Sequence, residues 1–256
     1  MTNKQLVQQQ FGATAASYVT SKVHAQGASL ARLVELVQPQ ADWQVLDVAT
    51  AAGHTAFIFA PHVAHVFATD ITPEMLTVAQ EQATKKGIRN ATTKLADAEA
   101  LPFADGTFDL VTCRIAPHHF PNVGHFLAES ARVLKSGGLL AVVDNFTPED
   151  QQAGAYIDGI ERLRDPSHVH CLSQSEWKAG FAEAGFALLK HEIYDKSMEF
   201  LDWAQRMNKD AAIEAQLRSL FLDAPPSVVE FMRPTVAGED IHFVLQEVIL
   251  VGRKAP

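Results

Sequence analysis

Short runs of consecutive apolar residues alternate with segments of helical spacing through residues 41–145 of this chain. Runs such as Trp43–Ala49 and Leu139–Val143 are brief and have no polar face, which is typical of buried strands. Between them lie helix-like segments with their own stop signals, such as Gly87. Strict alternation of this kind predicts an α/β fold whose mostly parallel sheet carries helices on both faces.

The remaining segments predict helices around this core and one last strand. We expect a single Rossmann-like domain over residues 1–256. Its seven-stranded sheet should end in an antiparallel strand over Ile241–Val251, which is rich in β-branched residues. A turn at Ser136-Gly137-Gly138 should separate the helix from Val123 and the strand at Leu139. The predicted parts are a helical N-terminal segment at 1–40, a core at 41–145, and helical insertions at 146–172 and 199–235.

Charge and cysteine content exclude several classes of partner. The chain has 30 acidic and 21 basic residues and a net charge of −9, which disfavours contact with nucleic acid. No apolar run reaches membrane-spanning length, and a polar N-terminus is unlike a signal peptide, so we expect a cytoplasmic protein without a membrane span. Cys113 and Cys171 do not form a disulfide pattern, and the spacing of His168, His170 and Cys171 fits no closed zinc site, so we expect no metal.

Polar residues stand where the predicted strands end. Asp47 ends the first strand, Asp70 the second and Asp97 the third, and Arg114 ends the fourth. Ligands of open parallel sheets bind beyond these carboxyl ends, at the switch point in strand order. The sequence therefore predicts one ligand site that is built from several strand ends.

The motifs at these positions resemble the class I S-adenosylmethionine-dependent methyltransferases. The resemblance is closest to the branch of ubiquinone- and menaquinone-biosynthesis C-methyltransferases, and it covers residues 10–145 most strongly. It rests on five motifs in order: Val45-Leu46-Asp47 with Gly53, Asp70-Ile71-Thr72-Pro73-Glu74-Met75, Asp97-Ala98-Glu99 with Leu101-Pro102-Phe103, Phe108-Asp109-Leu110-Val111, and Arg132 to Gly138.

The resemblance implies S-adenosylmethionine as the cofactor and a role for each strand end. Asp70 would accept both ribose hydroxyls. Asp97 would accept from the adenine amine, Ile71 and Met75 would enclose the ring, and Asp47 would orient the loop after the first strand. The N-terminal helices would fold over the cofactor as a lid. The residues predicted to bind the cofactor are Tyr18, Asp47, Ala49, Gly53, Asp70, Ile71, Met75, Asp97, Ala98 and Arg114.

The loop after the first strand departs from the family pattern. The family has glycine at three positions, and this chain has Ala49, Ala51 and Gly53 there. If an alanine at 49 or 51 must adopt a positive φ, it costs on the order of 1 kcal/mol.

The resemblance also implies methyl transfer to a small molecule, with histidine as the candidate general base. The candidates are His24 on the lid and His118 and His119 after the fourth strand, whereas Arg164 and His168 are candidate contacts of the acceptor. One alternative is a non-catalytic binding protein on this fold, which Ala49 and Ala51 suggest. Another is an enzyme that uses the fold for a different reaction, although no G-x-G-x-x-G motif supports a nicotinamide enzyme. The sequence leaves monomer and homodimer open.

Overall fold

A computed structural model describes residues 1–18, 28–207 and 210–255, and for residues 16–18 and 28 it describes only the backbone. The elements in chain order are α1 (Asn3–Tyr18), α2 (Ala28–Val37), β1 (Gln44–Val48), α3 (His54–Phe59), β2 (His65–Asp70), α4 (Pro73–Lys85), β3 (Ala91–Leu95), β4 (Phe108–Arg114), α5 (Val123–Val133), β5 (Leu134–Asn145), α6 (Gln151–Arg164), α7 (Gln174–Glu183), β6 (Phe186–Glu199), α8 (Phe200–Met207), α9 (Ala211–Leu222), α10 (Pro226–Met232), β7 (Thr235–Ala237) and β8 (Asp240–Lys254). Short 3₁₀ turns follow α3 and precede α5.

These strands form one mixed sheet in the order β3-β2-β1-β4-β5-β8-β6, with β7 paired to β8. Strands β1 to β5 are parallel, and β8 runs antiparallel to both β5 and β6. The predicted mostly parallel, Rossmann-like sheet with an antiparallel last strand is therefore confirmed. The chain leaves β1 toward β2 on one side and reaches β4 on the other, so the switch point lies between β1 and β4.

The predicted final strand, β8, lies between β5 and β6. Two details of the predicted sheet were wrong: β7 adds an eighth strand, and Ser136–Gly138 is part of β5. The pairing of β4 with β5 jumps from Phe108↔Leu134 to Leu110↔Leu139. Gly137, with a φ of 75°, sits in this bulge, so the glycines bend the strand where we expected a loop.

Helices cover the sheet on both faces and enclose two cores. On one face, α5 and α7 pack Phe126, Trp177 and Phe181 onto the strands. On the other, α2, α3 and α4 contribute Leu33, Phe59 and further buried side chains. Helix α7 begins with a capping box in which Ser173 and Glu176 bond each other's backbone N–H groups. The alternation seen in the sequence is therefore the alternation of these two helical layers.

A third core holds the two predicted insertions together. Helix α6 packs against α8, α9 and α10 through side chains such as Ile157, Trp203 and Phe221, and Phe243 of β8 joins the same core. Strand β5 ends at Asn145, which pairs with Glu247 of β8. The pairing of β8 with β6 continues past this point, as far as Glu199↔His242. This antiparallel ribbon carries the third core past the carboxyl edge of the parallel strands. In the described part of the chain, none of the helices could span a membrane.

Glycine at position 252 is required by the packing of α7 on β8. A Cβ there would lie 2.7 Å from the ring of Phe181 and 3.1 Å from Cβ of Phe186. We expect Gly252→Ala to lower the free energy of unfolding by about 1–3 kcal/mol, as overpacking does. Gly159→Ala is the control, since a Cβ in α6 at that position meets nothing within 4 Å. Urea titration should show Gly159→Ala unchanged or more stable, and equal effects of the two changes would contradict this packing.

Candidate active site

One large cavity opens at the switch point, beyond the carboxyl ends of the parallel strands. Its volume, counted out to open solvent, is about 1420 Å³. Helix α1 crosses above it and bonds to three of its walls: Gln8 Nε2 donates to the carbonyl of Ile71, Asn3 Nδ2 to that of Ser167, and Gln10 Nε2 to that of Met207. Helix α1 therefore forms a roof where we expected a lid. Tyr18 ends this helix, but its side chain and the whole of His24 lie outside the described residues.

The loop after β1 forms the floor of the cavity and is held by a buried carboxylate. Asp47 accepts hydrogen bonds from Thr50 Oγ1 at 2.5 Å and from Thr112 Oγ1 at 2.6 Å. Burial raises the pKa of Asp47 to about 6, against these two hydrogen bonds. Asp47 does not line the cavity. This position is compatible with its predicted role, which is to orient the loop, and not with direct contact to a ligand.

The loop itself is left-handed at three positions. Ala49 has a φ of 54°, Ala51 of 47° and Gly53 of 86°. Gly53 lies behind the floor, where a Cβ would be 2.3 Å from the Phe57 ring. Ala49 and Ala51 both line the cavity. The chain thus keeps the backbone shape of a glycine loop while placing two methyl groups at its surface.

Asp70 lies at the rim of the same floor, at the end of β2. Its Oδ2 accepts from the backbone N–H of Ala51 at 2.9 Å, and its Oδ1 accepts from that of Thr72, also at 2.9 Å. Burial raises the pKa of this carboxyl, and the two N–H groups oppose the shift. A carboxylate oxygen can accept more than one hydrogen bond, so Asp70 remains able to accept from a ligand. Ile71 and Met75 line the cavity beside it.

The end of β3 presents two acids that are paired with the roof. Lys4 Nζ lies 2.5 Å from Asp97 Oδ2 and 2.7 Å from Glu99 Oε2. Asp97 is about one-third exposed and, with Ala98, lines the cavity. The sequence reasoning missed Lys4, because nothing in a polar N-terminus indicates which wall it will meet.

Arg114 ends β4 in a buried position on the opposite side of the switch point. Its Nε donates to Thr55 Oγ1 at 3.2 Å. Burial lowers the pKa of Arg114, while the charges of Glu247 and Asp47 act to raise it. The guanidinium therefore sits among acids and still lines the cavity.

His118 and Asp144 form a buried pair where β4 and β5 end. His118 Nδ1 lies 2.6 Å from Asp144 Oδ1, and the His118 N–H donates to Asp144 Oδ2 at 2.9 Å. His118 lines the cavity, and with Nδ1 engaged, Nε2 is the ring nitrogen left for a ligand among the described residues. The sequence reasoning assigned Asp144 no role, because its pairing with His118 depends on the 3₁₀ turn at Pro117–His119.

His119 and His168 lie next to this pair but differ in access to the cavity. The His118 ring centroid is 4.2 Å from that of His119 and 5.6 Å from that of His168. His119 lines the cavity and contacts Phe11 of the roof edge-on. The structure places His168 behind the wall, because its Nε2 bonds the buried Asp158 at 2.7 Å.

Asp158 organises the segment after α6. It accepts from His168 Nε2, from His170 Nδ1 at 2.5 Å and from the backbone N–H of Cys171 at 3.0 Å. Asp158, His168 and Cys171 also place potential metal ligands within 4.8 Å of one another. These three hydrogen bonds satisfy the Asp158 carboxylate without a metal ion. The expectation that the chain binds no metal stays a prediction.

Arg164 reaches the cavity from the end of α6. Its Nη2 lies 2.8 Å from Glu161 Oε2, and its guanidinium lies 4.6 Å from the centre of the Trp203 ring. Trp203 lines the cavity together with two residues of the ribbon, Lys196 and Met198. The sequence reasoning assigned the ribbon no site residues, because strand pairing alone brings it to the cavity.

The lining charges divide the cavity in two. We call the side at β1–β3 the acid-lined half, with Asp70, Asp97 and Glu99, and the side at β4–β8 the base-lined half, with Arg114, Arg164, Lys196 and Arg206. Lys4 is the base among the described lining residues of the first half, and Asp165 is the acid among those of the second. One cavity therefore offers two electrostatically different sites.

Comparison with known proteins gives one consistent picture. The family "Methyltransferase domain" matches residues 46–142. The chain is 35% identical to the uncharacterized methyltransferase YcgJ of Bacillus subtilis over 95% of this chain and 97% of that protein. It is 40% identical to the ubiquinone/menaquinone biosynthesis C-methyltransferase UbiE of Zymomonas mobilis, over 41% of this chain and 43% of that protein. A methyltransferase structure from Bacillus halodurans superimposes with a TM-score of 0.86 at 35% identity, covering 90% of this chain and all of that one.

The positive φ of Ala51 predicts a strained floor. We expect Ala51→Gly to raise the free energy of unfolding by about 0.5 kcal/mol, because relief of the left-handed alanine exceeds the added chain entropy. Ala52→Gly is the control: Ala52 is fully buried and not in the left-handed region, so this change should destabilise the fold. Chemical denaturation measures both. A loss of stability in Ala51→Gly equal to that in Ala52→Gly would contradict the strain.

Proposed function

This chain belongs to the class I methyltransferases, within the branch of the ubiquinone/menaquinone type, and we propose that it methylates a small molecule bound beside His118. Its cofactor is S-adenosylmethionine. The observation that carries the proposal is that one cavity joins the carboxylate of Asp70 to the His118–Asp144 pair. A donor site and a proton acceptor in one enclosed space are what methyl transfer to a protonated acceptor requires.

The acid-lined half fits the cofactor. Asp70 offers a fixed pair of acceptor oxygens for the ribose hydroxyls, with Ile71 and Met75 beside it for the adenine ring. Asp97 and Ala98 would bind the polar edge of the adenine. The left-handed floor at Ala49 and Ala51 would face the methionine part, and Arg114 would reach its carboxylate. Asp47 and Gly53 would act from behind, by holding that floor, and the assignment of Tyr18 stays a prediction.

Apart from Arg114, the residues of the base-lined half would act on the acceptor. When bound, the cofactor supplies a methyl group already activated by positive sulfur. His118 Nε2 would take the acceptor's proton, while Asp144 fixes the ring through Nδ1. His119 and Arg164 would position the acceptor, and His168 would support His118 from behind. The roof α1 would exclude water. Of the two candidates that the structure describes, His118 and His119, His118 is the one with a carboxylate partner suited to a general base. The role of His24 stays a prediction.

A non-catalytic binding protein on this fold is the rival function. Ala49 and Ala51 no longer favour it, because both adopt the left-handed backbone that glycines would have there. An unproductive site would also have no use for a buried histidine–carboxylate pair at the cavity wall. Cofactor binding and turnover decide between the two functions, as follows.

Asp70 should be the main determinant of cofactor affinity. We expect Asp70→Ala to weaken binding of S-adenosylhomocysteine by about 1.5–3 kcal/mol, the contribution of charge-assisted hydrogen bonds. Isothermal titration calorimetry measures it, with circular dichroism to verify the fold. Glu81→Gln, which changes an exposed acid on α4, is the control and should bind as the wild type does. Unchanged affinity in folded Asp70→Ala would refute the ribose assignment.

The His118–Asp144 pair should govern the pH dependence of turnover. Burial lowers the pKa of His118 to about 3 and raises that of Asp144 to about 8. The His118–Asp144 pair therefore shares one proton until the pH rises through about 8. Whether this proton lies on Asp144 or on Nδ1 of His118, Nε2 carries a hydrogen and cannot accept the proton of the acceptor. Turnover at saturating cofactor should therefore rise with pH and level off above an apparent pKa near 8.

Substitution tests the same pair independently of pH. With an acceptor found by screening phenols, carboxylic acids and amines, His118→Asn should lower turnover by about 100-fold or more. Affinity for S-adenosylhomocysteine should be unchanged. His125→Asn, on an exposed position of α5, is the control. Wild-type turnover in His118→Asn would mean that the acceptor arrives already nucleophilic and that no residue acts as base.

A further inference from the structure

We propose that the acceptor is an anionic amphiphile: a small carboxylate with an aromatic or other apolar body, bound in the base-lined half of the cavity. This inference rests on the proposed function, since it names the class of molecule that would be methylated there. It depends on the placement of bases and their counter-ions, on the apolar side chains among them, and on one buried amide.

Two bases of this half, Lys196 and Arg164, face the cavity, and the acids that pair with them are buried behind its wall. Lys196 Nζ is 2.8 Å from Glu247 Oε1, and Glu247 is buried and does not line the cavity. Arg164 is paired in the same way with buried Glu161. Arg206 pairs with Asp202, an exposed acid one turn earlier on α8. A ligand therefore meets cationic groups first. In a chain of net charge −9, this local reversal of sign is a specific feature of the site.

Two of these bases, Arg164 and Lys196, have N–H donors left for a ligand. Glu161 accepts from Nε and Nη2 of Arg164, and no described residue accepts from its Nη1. Lys196 has three N–H donors, and the hydrogen bond to Glu247 uses one. Because the counter-ions already hold both side chains in place, little side-chain entropy would be lost on binding an anion.

The same half also has an apolar wall. Met198 and Leu245 of the ribbon and Trp203 of α8 line it, and Arg164 stacks on the Trp203 ring. A fully hydrophilic anion would leave these surfaces unused. An aromatic or aliphatic body would bury them, with its carboxylate directed to Lys196.

Asn145 adds a hydrogen-bonding group at the boundary of the two halves. It ends β5 and lines the cavity, and its Oδ1 is buried without a partner among the described residues. Buried amides are normally satisfied, so Asn145 is suited to a polar group of the acceptor. An amine would gain less here, because it would bring a second positive charge toward the sulfonium and the bases, with Asp165 as the acid in the described lining.

The test compares ligands of one shape and different charge on protein saturated with S-adenosylhomocysteine. The probes are 4-hydroxyphenylacetate, its amide and tyramine, and indole-3-acetate, its amide and tryptamine. Calorimetry should show each acid binding at least about tenfold more tightly than its amide or amine, as expected for charge-assisted hydrogen bonds. The preference should weaken at high salt.

Variants then assign the preference to the proposed bases. Lys196→Met should reduce the acid-over-amide ratio to near one while leaving amide binding in place. Lys190→Met, which removes an exposed lysine from the same strand, should keep the wild-type ratio. Wild-type protein alone decides the charge preference, so the test stands even if Lys196→Met fails to fold.

Three results would overturn the inference: amides or amines binding as tightly as the acids, no acid binding at all, or an unchanged ratio in folded Lys196→Met. None of these affects the proposed function if S-adenosylhomocysteine binds. Conversely, acids that bind to a protein with no affinity for S-adenosylhomocysteine would uphold the anion site and refute the methyltransferase proposal.

Discussion

The carboxylate of Asp47 joins the parts on which the cavity depends. Through Thr50 it fixes the loop after β1, and through Thr112 it binds the neighbouring strand β4, across the switch point. A buried carboxylate is costly unless its oxygens are satisfied, and the two short hydrogen bonds meet that need. The left-handed loop, the exposure of Ala49 and Ala51, and the donor that Ala51 offers to Asp70 all follow from this one anchor.

Polar contacts tie the roof over the cavity to its walls. Lys4 pairs with Asp97 and Glu99, while three side-chain amides of α1 bond carbonyls of separate walls. Individual contacts of this kind contribute about 1 kcal/mol each. These polar contacts fix where the roof lies, although each contributes little beside the apolar burial in the two sheet cores.

Much of this arrangement could be predicted from the sequence, because strand ends are marked by local patterns. The alternation of apolar runs gave the sheet, and the acids Asp47, Asp70 and Asp97 marked its carboxyl edge. The missing parts depend on long-range pairing. Lys196 reaches the cavity because Leu245 lies opposite it on β8, and Asp144 meets His118 because a 3₁₀ turn brings the histidine back over β5. The turn predicted at Ser136–Gly138 was wrong, because glycines in a β-bulge and in a loop have the same appearance in sequence.

The ribbon of β6 and β8 separates two tasks within one domain. The cofactor platform rests on the two sheet cores, whereas the walls around the acceptor belong to the third core, which α6, α8, α9 and α10 build on the ribbon. The family match ends at residue 142, before α6 begins. Substitutions in the third core can thus remodel acceptor choice at little cost to the platform. Divergence of substrate within this fold, and its redesign in the laboratory, should therefore concentrate in one exchangeable module.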